Sequence, residues 1–206
     1  MPEKNINSTT MLPAALRPTP DESGMTVPQL LEHRINALFE QIPLVAELGE
    51  AFAQAGHDLY LVGGSVRDAL MGRLGHDLDF TTDARPDDTE AILRQHTHAT
   101  WDIGRAFGTI GAQIDDWVVE VTTYRADAYH PDSRKPEIVY GETLKDDLIR
   151  RDFTVNAMAL HAATRTFSDP YAGLTDIVSG ILRTPFPPER SFSDDPLRMM
   201  RAARFT

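Results

Sequence analysis

The stretch that decides the fold is Leu59-Tyr60-Leu61-Val62-Gly63-Gly64-Ser65-Val66-Arg67-Asp68, followed nine residues later by Asp77-Leu78-Asp79-Phe80. The run over 59–62 predicts a strand, the paired glycines a turn, residues 65–71 a helix, and the alternation over 77–81 a second strand. Together they make a β-turn-α-turn-β unit. Gly63 and Gly64 carry no side chain, so a phosphate could approach their backbone, while the first turn of the following helix offers unpaired N–H donors. Arg67 would add a charge-assisted contact. A plainer reading competes here: Ser65-Val66-Arg67-Asp68 also has the spacing of a capping box, which needs no ligand.

Working outward, Asp77 and Asp79 alternate with Leu78 and Phe80, so both carboxylates project from one face while the apolar pair enters the core. Such a pair suits Mg²⁺, which binds through one or two carboxylates together with substrate phosphates, and two such ions can flank an in-line displacement at phosphorus; the plainer alternative is a strand that ends in a solvated turn. Glu120 interrupts the β-branched run of Val118-Val119-Glu120-Val121-Thr122. An acid in such a strand needs a metal or a salt bridge beside it. Residues 109–114 and 117–123 read as a hairpin turned at Asp115-Asp116, and 86–96 as a helix. Residues 28–39 and 43–55 read as two earlier helices. Residues 125–137 read as a mobile loop.

Two later segments carry polar chemistry at useful spacing. Asp152 and Asn156, four apart, would share a face of a helix and either offer an acceptor and an amide to vicinal hydroxyls or lie on a solvated face with no ligand. Asp195 and Arg198 are three apart. A carboxylate that accepts from an exocyclic amino group, beside a guanidinium that donates to a ring nitrogen, matches adenine and cytosine and mismatches guanine and uracil, although acids early and bases later in a helix also compensate its dipole without any ligand. Residues 192–206 predict one helix with Ser193 as its N-cap and Asp194 and Asp195 in its first turn.

Composition narrows the classes. The 206 residues are 41% hydrophobic and 25% charged, within the globular range. Cysteine is absent, which removes disulfides and thiolate chemistry. The histidines show no ligand spacing that would support zinc or a His-based hydrolase. Net charge is −11, against binding through a general basic surface, but residues 141–206 hold nine basic and nine acidic side chains, so the acidic excess lies before them. With no apolar run long enough for a membrane span and no signal-like N-terminus, the reading is cytoplasmic, with no membrane partner. Residues 1–26, rich in Pro, Ser and Thr, read as a disordered N-terminal arm. Residues 27–183 read as a catalytic head and 184–206 as the beginning of a second, helical unit. Because helical periodicity runs to the last residue, the sequence is expected to be a fragment with further helices beyond it.

The motifs in this order, over residues 58–205, resemble the class II tRNA nucleotidyltransferase and bacterial poly(A) polymerase family of polymerase-β-type nucleotidyltransferases. The resemblance implies an α/β (α+β) fold with a mixed five-stranded sheet flanked by helices, then an all-helical neck. It implies two Mg²⁺ ions held by Asp77 and Asp79, with Glu120 completing the set, and Gly63, Gly64, Ser65 and Arg67 around the triphosphate. Arg151, Asp152 and Asn156 resemble the ribose-binding motif. Asp194, Asp195 and Arg198 resemble the base-reading motif, with Asp194 where the family usually has Glu. The implied reaction adds CMP and AMP from CTP and ATP to the tRNA 3′ end. The segment Gly104-Arg105-Ala106-Phe107-Gly108-Thr109-Ile110 lacks the second Arg after Gly-Arg that the poly(A) polymerases tend to carry, and the 125–136 loop resembles the one that goes with completing CCA. Poly(A) synthesis, or nucleotide binding without turnover, are the alternatives.

Overall fold

A computed structural model of the chain describes residues 19–73, 75–102, 104–127 and 138–205. The deciding stretch folds as strand β1 (Leu59–Val62), helix α3 (Gly63–Leu70) and strand β2 (Asp77–Thr82), preceded by helices α1 (Val27–Gln41) and α2 (Pro43–Gln54). Helix α3 begins at Gly63 rather than at Ser65, and its N-cap, Val62, is extended and contributes no side-chain hydrogen bond. Pro28 and Pro43 sit in the first turns of α1 and α2, where a missing N–H costs nothing.

Helix α4 (Pro86–Leu93) follows, then strands β3 (Thr100–Trp101), β4 (Thr109–Ile114), β5 (Trp117–Thr123), β6 (Arg125–Asp127) and β7 (Ile138–Tyr140). After them come α5 (Leu144–Ile149), β8 (Ala159–His161), β9 (Phe167–Ser168), α6 (Gly173–Ser179), α7 (Pro188–Asp194) and α8 (Leu197–Ala202). The main sheet runs β3-β4-β5-β2-β1-β8-β9. It is mixed: β2 and β5 are parallel, and the other neighbours are antiparallel. The expected five strands are its centre, and the two edge strands β3 and β9 are only two residues each. The β4–β5 hairpin matches the sequence reading, with Asp115 at φ 50 in the turn.

One face of the sheet is the core. Leu61, Leu78, Phe80, Ile110, Val119 and Val121 pack with Val45, Leu48 and Phe52 of α2, all nearly solvent-free. Each such side chain contributes about 1.5–3 kcal/mol by leaving water. Helix α2 comes so close to the end of β8 that a Cβ on Gly49 would lie 2.5 Å from the Ala162 carbonyl carbon, so the sheet tolerates no side chain there. Alternation places Asp77, Asp79, Glu120 and Thr122 on the opposite face.

Three expectations are revised. The loop read over 125–137 begins as β6, paired with β7; the rest of it, 128–137, lies outside the described residues. The single helix read over 192–206 is two, because Pro196 excludes the helical region for the residue before it, and Asp195 accordingly takes φ −142, ψ 97. Ser193 therefore lies inside α7 and caps nothing. The stretch around Asp152 and Asn156 is not an α-helix but a 3₁₀ turn, Thr154–Asn156. Residues 1–18 of the expected arm are not described. In its remainder, Glu22 is buried against Arg34 of α1 at 2.9 Å. Among the described residues no helix is long and apolar enough to cross a membrane.

Candidate active site

The site starts from strand register. In the parallel β2–β5 pair, Asp79 lies directly opposite Glu120, so two carboxylates stand side by side on the polar face. Both hold their protons more tightly than ordinary acids. For Asp79 burial is the main cause, opposed by the Arg151 guanidinium and reinforced by Asp77. For Glu120 burial again leads, followed by repulsion from Asp79 and Asp77. Asp77 occupies the exposed start of β2. Among the described residues no three acidic or imidazole side chains converge into a closed metal cage. An open pair with elevated proton affinity still fits a hard cation that takes one or two carboxylates and draws its other ligands from phosphate and water.

The glycine turn abuts these acids. Gly63 has φ +67, which favours glycine, and a Cβ there would lie 3.2 Å from Arg151 Nη1 and 3.7 Å from Asp79 Oδ2, so a methyl would press on the Arg151 guanidinium. Ser65 is not the cap of a capping box. Its hydroxyl donates to the Asp77 carbonyl and accepts from the Asp79 amide, each at 3.1 Å, which ties α3 to the start of β2 and fixes where Asp79 emerges. Asp68 likewise caps nothing: its carboxylate accepts from Nε and Nη2 of Arg67, both at 2.9 Å. The remaining arm of Arg67 donates from Nη1 to Asn156 Oδ1 at 2.6 Å. Asn156 in turn donates from Nδ2 to Asp152 Oδ1 at 3.0 Å, so the pair read from the sequence does meet, through a tight turn instead of a helix face.

The sequence reading missed Asp147. Its side chain is fully buried in α5 and grips both arginines of the following turn. Arg150 Nη2 donates to Oδ1 at 2.7 Å and Arg151 Nη2 to Oδ2 at 2.9 Å. Burial works against its charge, but Arg151 and Arg150 overcome that and hold the carboxyl below its usual range. The signal was present in the spacing, since Asp147 stands three and four residues before the two arginines.

Arg198 on α8 is buried and anchored, donating from Nη1 to Ser191 Oγ and from Nη2 to the Arg150 carbonyl, both at 2.6 Å. Its Nε lies 4.0 Å from Asp195 Oδ2, while Asp195 Oδ1 accepts from the Leu197 amide at 3.0 Å. Asp194 faces Arg190 on its own helix at 3.6 Å. Asp195 and Arg198 line a cavity of about 420 Å³, within the range of ligand clefts. Its walls include Gly63, Gly64, Asp79, Glu120, Asp152, Asn156 and Asp195, together with five arginines: Arg125, Arg150, Arg151, Arg198 and Arg201. Asp77, Ser65, Arg67 and Asp194 are not in its wall. Arg125, Arg150 and Arg201 are also in it, and the sequence reading assigns none of them a role of its own.

Residues 59–183, which hold the carboxylates, the glycine turn and the arginine pair, match the model of the poly A polymerase head domain. The chain belongs to this family. It is 42% identical over 153 residues to the CCA-adding enzyme of Bacillus subtilis, a match covering 74% of the chain and 37% of that enzyme. Among solved structures it resembles the Bacillus stearothermophilus CCA-adding enzyme in complex with CTP. That match has a TM-score of 0.69 and 37% identity over 80% of the chain and 38% of the enzyme. It also resembles the Thermotoga maritima CCA-adding enzyme complexed with tRNA, with a TM-score of 0.67 and 26% identity over 88% of the chain and 40% of that enzyme. The head-domain chain thus spans about two fifths of the length of these relatives.

Proposed function

We propose that this cleft transfers CMP and AMP from CTP and ATP to the 3′ end of tRNA, completing CCA. The observation that carries the reading is the meeting of Asp79 and Glu120, in register on adjacent strands, with a glycine turn and five arginines in one cleft of a chain whose net charge is −11. A cation cluster concentrated in one place on an acidic chain fits a polyanionic ligand. Relatives named as CCA-adding enzymes, one solved with CTP and one with tRNA, support the choice of substrates.

Asp77, Asp79 and Glu120 would hold the divalent ions, two of Mg²⁺ in this reading. When bound, these would draw electron density from the α-phosphoryl group and favour the ionised 3′-hydroxyl. The RNA hydroxyl gives up its proton to solvent as its oxygen forms the new bond to the α-phosphorus, the bond to the α–β bridging oxygen breaks, and pyrophosphate leaves with that electron pair. The arginine cluster and the backbone of Gly63 and Gly64 orient the triphosphate for in-line displacement. Asp152 and Asn156 read the ribose hydroxyls. Asp195 accepts from the base amino group through Oδ2, since Oδ1 is engaged by Leu197, and Arg198, clamped at both terminal nitrogens, donates to the ring nitrogen without swinging away.

The test is extension of tRNA transcripts ending before CCA, after the first C and after CC, with one triphosphate at a time and Mg²⁺ present. The expected pattern is C, then C, then A, and no addition from GTP or UTP. A run of A on every transcript would replace this reading with poly(A) synthesis. Calorimetric CTP binding with no extension would replace it with a nucleotide-binding module.

A further inference from the structure

The cavity described above lies on one side of the carboxylates, reaching from Glu120 across β2 and β1 to the arginines that follow α5 and to α8. If the triphosphate occupies that side, an in-line attack brings the RNA end from the other, over β4 and β3. The sheet register shows what lies there. Asp79, Glu120, Gly111 and Trp101 form one row across β2, β5, β4 and β3, and residues so paired project from the same face. Gly111 leaves a gap in that row, and the indole of Trp101 fills it: its Nε1, Cε2 and Cζ2 atoms occupy the space that a Cβ on Gly111 would need. The ring therefore leans from the edge strand back toward Glu120 instead of out over the sheet edge. Strand spacing puts the backbone of Trp101 about 10 Å from that of Glu120, and the lean brings the ring closer still.

Trp101 is an anomaly on this face. It is only partly buried, and among the described residues it belongs to neither apolar cluster, whereas Trp117 packs against the core. A large aromatic ring kept at a polar, catalytic surface by a glycine made to receive it needs a partner with a flat apolar face. We propose that Trp101 is a stacking platform for a nucleobase at the 3′ end of the RNA strand being extended, holding that end beside Glu120. Stacking suits this role because every base presents a π-face, so the platform tolerates an end that changes from one nucleotide to the next as additions proceed. The inference rests on the transfer reading above and adds the surface on which the acceptor strand sits.

The experiment uses the Trp117→Phe background, in which Trp101 is the one remaining tryptophan. A short RNA ending in CC, added without triphosphate, should quench its fluorescence saturably. Separately, Trp101→Ala should raise KM for the tRNA about ten- to a hundredfold, the range expected for one lost base stack, while KM for CTP stays within about twofold. Trp101→Phe should restore most of the tRNA affinity. No quenching by RNA, an unchanged tRNA KM, or an equal rise in both KM values would overturn the proposal. A wild-type protein that extends no RNA yet shows the quenching would defeat the transfer reading and leave the platform standing.

Discussion

Replacing Asp147 with alanine should be the most damaging single change near the cleft at a residue that is not itself a proposed metal or nucleotide ligand, because it acts through Arg150 and Arg151. The carboxylate has no solvent exposure, while Arg150 and Arg151 keep 17% and 18% of their side-chain surface. Removing one partner of a buried ion pair costs about 3–5 kcal/mol because the other is left uncompensated. Here the two cations can partly rehydrate, which points to the lower end, about 3 kcal/mol. For a chain of this size that is a fall in Tm of roughly 6–12 °C. The functional loss runs through Arg151, whose guanidinium lies 3.2 Å from the Cβ position of Gly63 and lowers the proton affinity of Asp79. Once released, it should let calorimetric CTP affinity fall at least tenfold. Asp147→Asn keeps the shape and one acceptor but loses the charge, so it should fall between. The reasoning fails if Asp147→Ala melts within 2 °C of wild type and binds CTP equally well, since that shift corresponds to about 0.5–1 kcal/mol, roughly three- to sixfold below the expected energy.

Gly63→Ala should cost about 1–2 kcal/mol, since φ is +67 there, and should weaken CTP binding by pushing Arg151 aside; a fully stable variant with unaltered CTP affinity would contradict it. Ala172, a non-glycine residue at φ 58 and ψ 35 before α6, should gain from replacement by glycine. Relief of about 1–2 kcal/mol of left-handed strain outweighs about 0.4–1 kcal/mol of added unfolded-state entropy, so Tm should rise by a few degrees, and a fall would refute the argument. Glu22, hydrogen-bonded to Arg34, has its carboxyl lowered from 4.5 to about 2. A depressed folded-state value means that stability is full above the ordinary value and is lost as pH falls through the lowered one. The stability gap between wild type and Glu22→Gln in urea melts should therefore be constant at pH 6–7 and shrink between about 4.5 and about 2; a gap that widens with acid would be inconsistent with the ion pair.

The legible parts of the sequence were those governed by short periods. Alternation in 77–81 and 117–123 placed every side chain of β2 and β5 on its face, and the acids at 79 and 120 followed from it. Their mutual register could not follow, because parallel pairing of β2 with β5 is decided by the strands lying between them in sequence, not by either one. The same limit explains the helix misread over 192–206. Periodicity there is genuine, and a single proline, whose ring excludes the preceding residue from the helical region, outweighs it. Ser65 shows the opposite failure. Serine, then aspartate three residues on, is a valid local signal for a cap, but a long-range bond from its hydroxyl to β2 takes precedence, and local spacing has no means of revealing that. Asp147 was visible as an i, i+3, i+4 partner of two arginines, yet only its complete burial distinguishes it from the many solvated pairs of that form.

Charge accounting in the cleft then decides which cations can meet a triphosphate. Arg67 stands beside the glycine turn, but both Nε and Nη2 are taken by Asp68 and Nη1 by Asn156, so its charge is neutralised and its geometry fixed before any ligand arrives. Its work is to orient the Asn156 amide, whose oxygen faces Arg67 and whose nitrogen faces Asp152, leaving the amide no freedom to flip. Arg201 approaches the other Asp152 oxygen at 3.6 Å, which extends the chain of contacts from α3 through the 3₁₀ turn to α8. Arg150 and Arg151, by contrast, share the single charge of Asp147 and so retain one net positive charge between them, with Arg125 beside them in the same wall. In the proposed reaction the phosphates would therefore be met by Arg150 and Arg151, while Arg67 holds the ribose-reading pair in place. A variant at Arg67 should then lose discrimination between ribo- and deoxyribonucleotides before it loses triphosphate affinity.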